Sequence, residues 1–112
     1  MTHGEKLKRQ YDGFLELIEL YPPHLVGIEK GFTKFNKSTQ VIFRAHGVAN
    51  LAFCDYEQVY FQNNIVKLKF AGSGGASKEK VIAEVKKRYG LDVKNDEADA
   101  IAVAYTTLKS II

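Results

Sequence analysis

The sequence predicts an α/β fold in a single compact domain covering residues 1–112. Two short segments of strand length, HLVGIE at 24–29 and VYF at 59–61, alternate with longer stretches whose apolar residues follow a helical period. The 112 residues, 46% of them hydrophobic, can bury one core but hardly two. Because two strands are too few to form a sheet alone, we expect strands that complete the sheet to be missing from the chain.

Capping and helix-breaking residues predict the helix bounds in the first half of the chain. Thr2 followed by Glu5 resembles a capping box and begins a helix over roughly the first twenty residues, which two prolines end. A loop rich in lysine and turn-forming residues follows the first strand. Ser38 or Thr39 then begins a second helix that extends to about Phe53.

The second half of the chain is predicted to contain two more helices. One begins near Ser77 after a glycine-rich turn and ends at Gly90. Asp96 is predicted to cap the last helix, which is apolar on almost all sides and is therefore expected to be buried. Periodicity does not decide between helix and strand for residues 65–71.

Composition narrows the class of protein. The net charge of +3, from 16 basic and 13 acidic residues, is compatible with a polyanionic partner without requiring one. The single cysteine, Cys54, excludes an intramolecular disulfide and is expected to be a small buried residue. The N-terminus has no secretory signal, and no apolar run is long enough to cross a bilayer. We expect a soluble, cytoplasmic protein without membrane association.

Three carboxylates are candidate metal ligands. Glu29 ends a buried strand, where ligands gather in open α/β sheets, although an exposed strand-end acid is the alternative interpretation. Asp96 and Asp99 share one helix face, with helix capping as their alternative role. Asp99 lies among apolar residues, where an ionised carboxylate is costly unless a cation compensates it. Mg²⁺, or Mn²⁺ instead, suits such oxygen ligands and the cleavage of phosphodiesters by metal-activated water.

A glycine loop and nearby basic residues predict contacts with nucleic acid. GSGGASK at 72–78 lacks the residue order of a Walker A motif, so no nucleotide cofactor is expected. The loop can instead place backbone N–H groups against a nucleic-acid phosphate. A solvated basic face, and aromatic loop residues packed on the core, remain the alternatives. The candidate DNA-binding residues are Phe32, Lys34, Lys69, Gly72, Gly74, Lys78 and Lys80.

Five short motifs extend across nearly the entire chain: IEKGF at 28–32, AHGVA at 45–49, VK at 66–67, GSGGASK at 72–78 and DEADAIAVA at 96–104. Read together, they resemble the RuvC family of Holliday junction resolvases in both order and spacing. The resemblance implies an RNase H-like fold in which Glu29, Asp96 and Asp99 hold Mg²⁺. It also implies that Lys67 and Lys78 act near the scissile phosphate and that Phe32 stacks at the junction.

The resemblance further implies a homodimer that nicks two strands of a four-way DNA junction, with the helix from about Ser38 to Phe53 lining the dimer contact. One departure from the family pattern is serious. Family members begin with a strand that carries a catalytic aspartate in a DxGxxxxG setting, whereas this chain begins at the first helix. Asp12 lies inside that predicted helix and cannot replace the strand aspartate.

Three hypotheses follow from the sequence. The first is a Mg²⁺-dependent, structure-selective endonuclease that resolves four-way junctions in DNA recombination and repair. The second is a truncated, catalytically inactive module that binds junction DNA or dimerises. The third is a fragment that does not fold stably, because an incomplete sheet leaves a strand edge unpaired.

Overall fold

A computed structural model describes the backbone of residues 1–30 and 37–111, and the side chains of the same residues except 37–39. The predicted alternation of helices and strands is present in this part of the chain, with one further helix over the segment that periodicity left undecided. The elements are α1 (His3–Leu20), β1 (Val26–Glu29), α2 (Lys37–Ala52), β2 (Gln58–Phe61), α3 (Asn63–Ala71), α4 (Lys78–Tyr89) and α5 (Asn95–Lys109).

The chain divides into two compact units. Unit 1 comprises Met1–Val26 and Gly31–Gln58, and unit 2 comprises Gly27–Lys30 and Val59–Ile112. The organisation as a single domain stays a prediction. The candidate site residues that the structure describes all belong to unit 2.

Strands β1 and β2 form a parallel two-stranded sheet. The Val26 N–H donates to the Glu57 carbonyl at 3.0 Å, and the Lys30 N–H donates to the Phe61 carbonyl at 2.8 Å. Donors and acceptors both advance by four residues, so the two strands run in the same direction. Their carboxyl ends therefore lie at one edge of the sheet, and Glu29 is the last residue of β1 at that edge.

Unit 1 is built on the packing of α1 against α2. The hydroxyl of Thr2 accepts a hydrogen bond from the Glu5 N–H at 3.1 Å, which confirms the predicted helix start. The rings of Phe14 and Phe53 pack with their centroids 5.3 Å apart. Asp12 lies within α1, as predicted, and pairs with Lys8 at 3.1 Å.

Unit 2 has a core formed by α3, α4 and α5. Helix α5 is buried on one face, whereas Ala100 and Ala104 are exposed, so the predicted burial on almost all sides is correct for one face only. Exposed alanines cost little, because protein surfaces retain much apolar area. The core residues are Val66, Phe70, Ala71, Ala76, Val81, Val85, Ala98, Ala102 and Val103.

The ends of α4 match the sequence prediction, and two other assignments are corrected. Ser77 caps α4 by accepting from the Lys80 N–H at 3.1 Å, and Gly90 ends it in the left-handed region at φ +69°. Helix α5 begins one residue before Asp96, with Lys94 at its N-cap, so Asp96 lies in the first turn and is not the cap. Cys54 is exposed, not buried, because it follows the end of α2 in a turn.

Strand β1 and helix α5 approach each other closely at a glycine. A Cβ atom built on Gly27 would lie 1.8 Å from the Thr107 hydroxyl oxygen, far inside van der Waals contact. Thr107 is buried, and its hydroxyl donates to the Val103 carbonyl at 2.7 Å. Alternate residues of a strand project to the same face. Glu29, two residues after Gly27, is therefore on the face of β1 that meets α5.

We expect Gly27→Ala to destabilise the fold by about 1–3 kcal/mol, because the added methyl group overpacks the contact with Thr107. Thr107→Ala in the same chain removes the colliding hydroxyl, so the double variant should recover part of this loss. Urea unfolding measures both changes.

Gly13→Ala is the matched control, because a Cβ at Gly13 meets no atom within 4 Å. It should leave stability unchanged or raise it through better helix propensity. A Gly27→Ala chain as stable as its parent would contradict the close approach of β1 and α5.

Candidate functional site

Glu29 lies at the carboxyl edge of the sheet with its side chain half-buried. One carboxylate oxygen accepts a hydrogen bond from the side-chain amide of Asn63, the first residue of α3. Its other oxygen has no hydrogen-bond partner among the residues that the structure describes. The sequence predicted Glu29 at this edge, but it did not predict its partner.

Asp96 and Asp99 lie near the start of α5. Asp96 is exposed, whereas Asp99 is half-buried next to the fully buried Ala98. Burial raises the pKa of the Asp99 carboxyl group above its usual value, and the negative charge of Glu29 raises it further. Ionisation of Asp99 is therefore less favourable in the metal-free protein than it is for an aspartate in water.

Two lysines oppose this rise. Lys67 on α3 lowers the pKa of Asp99, Asp96 raises it, and Lys78 at the start of α4 lowers it. The charges of all the other residues predicted to be catalytic thus affect the pKa of Asp99. These residues lie on four elements: β1, α3, α4 and α5.

The oxygen donors suit a hard cation, although the carboxylates do not form a closed ligand set. Within residues 1–30 and 37–111, no three His, Cys, Asp or Glu side chains are arranged to hold a metal ion. The side-chain oxygen of Asn95, directly before Asp96, is buried without a hydrogen-bond partner in the same part of the chain. Carboxylate and amide oxygens are the donors that Mg²⁺ and Mn²⁺ accept. The donor chemistry therefore fits a divalent cation.

The predicted phosphate-binding residues surround the turn between α3 and α4. Gly72 ends α3 in the left-handed region at φ +83°. A Cβ atom at Gly74 would lie 3.2 Å from the backbone oxygen of Asn64, so this turn packs closely on the start of α3. Lys69 lies in the last turn of α3 and Lys80 in the first turn of α4, both with exposed side chains.

Of the remaining predicted residues, the structure describes Lys78 but not Phe32 or Lys34. Lys78, the first residue of α4, is exposed and stands directly after the Ser77 cap. Phe32 and Lys34 lie outside the described residues. Asn63 and Asn95 are additional polar side chains at the site that the sequence analysis did not identify. The position of Asn63, directly after β2 at the carboxyl edge of the sheet, is the signal that could have identified it.

The structure adds one finding on membranes. None of the helices in the described part of the chain is both long and apolar enough to span a bilayer.

The chain matches one protein family and many of its members. The model of the family described as "Crossover junction endodeoxyribonuclease RuvC" matches residues 2–107. A protein of that name from Dehalococcoides mccartyi is 38% identical over 106 residues, covering 89% of this chain and 64% of the relative. The namesake from Thermotoga maritima is 34% identical over 107 residues, covering 90% of this chain and 64% of the relative. The chain thus spans less than two thirds of these relatives' length.

Two solved structures of RuvC from Thermus thermophilus resemble the chain. One superimposes with a TM-score of 0.79 at 27% identity, covering 95% of this chain and 68% of the other. The second, described as a complex with Holliday junction substrate, superimposes with a TM-score of 0.85 at 24% identity, covering 99% and 72%. These matches confirm the predicted RNase H-like α/β fold.

We expect Asp99→Asn to raise the melting temperature of the metal-free protein at neutral pH. The folded-state pKa of Asp99 is raised above that of the unfolded chain. Its contribution to stability is therefore fully present below the unfolded pKa and is lost as the pH rises through the folded pKa. The difference between variant and parent should shrink toward about pH 3, where both states are protonated.

Thermal unfolding by circular dichroism at several pH values, in the presence of a chelator, measures this effect. Asp55→Asn changes an exposed aspartate outside the site and serves as the control. A lower melting temperature for Asp99→Asn than for the parent at neutral pH would show that the electrostatic account is wrong.

Proposed function

The chain belongs to the RuvC family, and on that premise we propose that it acts as a metal-dependent, structure-selective endonuclease on four-way DNA junctions in recombination and repair. The observation that supports this most strongly is the position of Asp99. It is half-buried near the like charge of Glu29, which raises its pKa, and Lys67 and Lys78 act on the same group. A half-buried carboxyl group near another carboxylate does not stabilise the fold, and such arrangements are typical of functional sites.

The proposed cation ligands are Glu29, Asp96 and Asp99, with Mg²⁺ as the metal and Mn²⁺ as its substitute. The bound cation would supply an activated water and neutralise charge on the phosphate. These carboxylates would hold the cation at the carboxyl edge of the sheet, where β1 and the start of α5 carry them. A bound cation would favour the ionised form of Asp99, because a nearby positive charge lowers the pKa of a carboxyl group.

The lysines are proposed to contact the DNA backbone. Lys67 and Lys78 lie close enough to Asp99 to lower its pKa. A phosphate held at the carboxylates would therefore also lie near these two lysines. Lys69, Lys80 and the backbone of the glycine turn would bind neighbouring phosphates. Such contacts place the DNA without reading its sequence, which suits an enzyme that recognises branched shape.

A homodimer is proposed as the working form, in the cytoplasm. Helix α2, the predicted dimer helix, exposes the large apolar side chains of Val41, Phe43 and Leu51. A self-complementary contact through one apolar helix is a common way to build a symmetric dimer. Two copies related by a twofold axis would place two sites on opposite strands of a junction.

One observation favours a second candidate function. The acids in the described part of the chain do not converge into a metal-holding group, whereas the basic residues around the glycine turn are present. A chain with this arrangement could bind or dimerise on junction DNA without cutting it. Both candidates bind junction DNA, and they differ in whether they cut it.

Cleavage of a labelled synthetic four-way junction, compared with a linear duplex with and without Mg²⁺, separates the two functions. We expect metal-dependent cuts in the junction and few in the duplex. The double variant Asp96→Asn/Asp99→Asn should lose at least about 100-fold in rate, since even outer-shell changes at metal sites cost up to that factor.

The control variant is Asp12→Asn/Asp55→Asn, which removes two exposed acids from unit 1 and should cut like the parent. Tight junction binding by the parent without any cleavage would contradict the nuclease function and support the binding module. The absence of both binding and cleavage would contradict both candidates.

A further inference from the structure

We propose that Asn63 is a positioning residue for Glu29 and that it directs one carboxylate oxygen of Glu29 toward the cation. This inference rests on the proposed function, because it concerns the same metal site. Its basis is the hydrogen bond from the Asn63 side-chain amide to one Glu29 oxygen, which joins two residues that are 34 positions apart.

The topology brings the two residues together. Because β1 and β2 are parallel, the residue that ends β1 and the residues that follow β2 lie at the same edge of the sheet. Gln62 is the N-cap of α3 and makes no side-chain cap hydrogen bond, and Asn63 is the first helical residue. Asn63 and Glu29 are both half-buried. The side chain of Asn63 therefore serves the neighbouring strand and not its own helix terminus.

The chemistry of the contact suits the orientation of a metal ligand. The amide N–H of Asn63 donates, and the Glu29 carboxylate oxygen accepts. The amide carries no net charge, so it does not compete with a cation as a lysine would. It holds one oxygen of a flexible side chain, and the other oxygen has no partner among the described residues. Carboxylate ligands of metals usually have such an outer hydrogen bond.

The register of α3 supports the same role. Asn63 and Lys67 are four residues apart and therefore lie on one face of the helix. Asn63 binds Glu29, and Lys67 is the lysine of α3 that is proposed to contact a phosphate of the DNA. One face of α3 thus contacts Glu29 and carries a lysine of the proposed site.

Asn64 provides a matched control within the same helical turn. It is the same residue type, its side chain is exposed, and it makes no side-chain hydrogen bond to another described residue. Its backbone oxygen and Cβ are the atoms that face Gly74, and an alanine keeps both. Asn64→Ala therefore removes an amide without removing the packing of the turn.

Titration of the full chain with Mn²⁺, monitored by electron paramagnetic resonance of the free ion, tests the proposal. We expect Asn63→Ala to weaken Mn²⁺ binding by about 10- to 100-fold, and Asn64→Ala to leave it within about twofold. Asn63→Gln, which keeps the amide donor, should bind more tightly than Asn63→Ala. In a Glu29→Gln background, Asn63→Ala should cause no further loss.

A second measurement needs no metal. In ¹⁵N spectra of the metal-free chain, Glu29→Gln should shift the side-chain amide resonances of Asn63 and leave those of Asn64 in place. Equal Mn²⁺ affinity of Asn63→Ala and Asn64→Ala, or an unchanged Asn63 amide, would overturn the proposal. A parent chain that binds no Mn²⁺ while its Asn63 amide responds would instead contradict the proposed function, so the two failures are distinguishable.

Discussion

Helix α5 combines two requirements that oppose each other. Its buried face, with Ala98, Ala102 and Val103, is part of the core of unit 2, while its start carries two carboxylates. Packing that face removes Asp99 from water and brings it near the negative charge of Glu29, which raises its pKa. The proposed cation would relieve this cost. The fold and the proposed site are therefore coupled through one helix.

A second contact fixes the helices that carry the lysines. The guanidinium of Arg88 on α4 lies 5.1 Å from the ring centroid of Phe70 on α3 and 4.6 Å from that of Tyr105 on α5. It also donates to the Phe70 carbonyl at 3.1 Å and pairs with Glu84 at 2.7 Å. One side chain thus ties together the three helices of unit 2. The relative positions of the lysines and of Asp99 depend on this packing.

Local patterns predicted the parts of the fold that local chemistry determines. Glu29 and the start of α4 follow from strand composition and capping, and both are where the sequence placed them. The sequence did not decide between helix and strand for α3, because apolar residues of this segment lie on both its buried and its exposed side. Val66 is buried and the adjacent Ile65 is exposed, so the apolar positions do not follow a clear helical period. The contacts of Gly27 with Thr107 and of Glu29 with Asn63 join distant parts of the chain, and no sequence window contains both partners.

Both the site and its coupling to the fold depend on the proposal that the carboxylates of β1 and α5 hold one divalent cation. Anomalous diffraction from a crystal of the protein grown or soaked with Mn²⁺ tests it most directly, because it locates the ion without reference to activity. We expect a single strong peak between the carboxylates of Glu29 and Asp99, within coordinating distance of both. A folded chain with Mn²⁺ bound elsewhere, or with no peak at a saturating concentration, would contradict it.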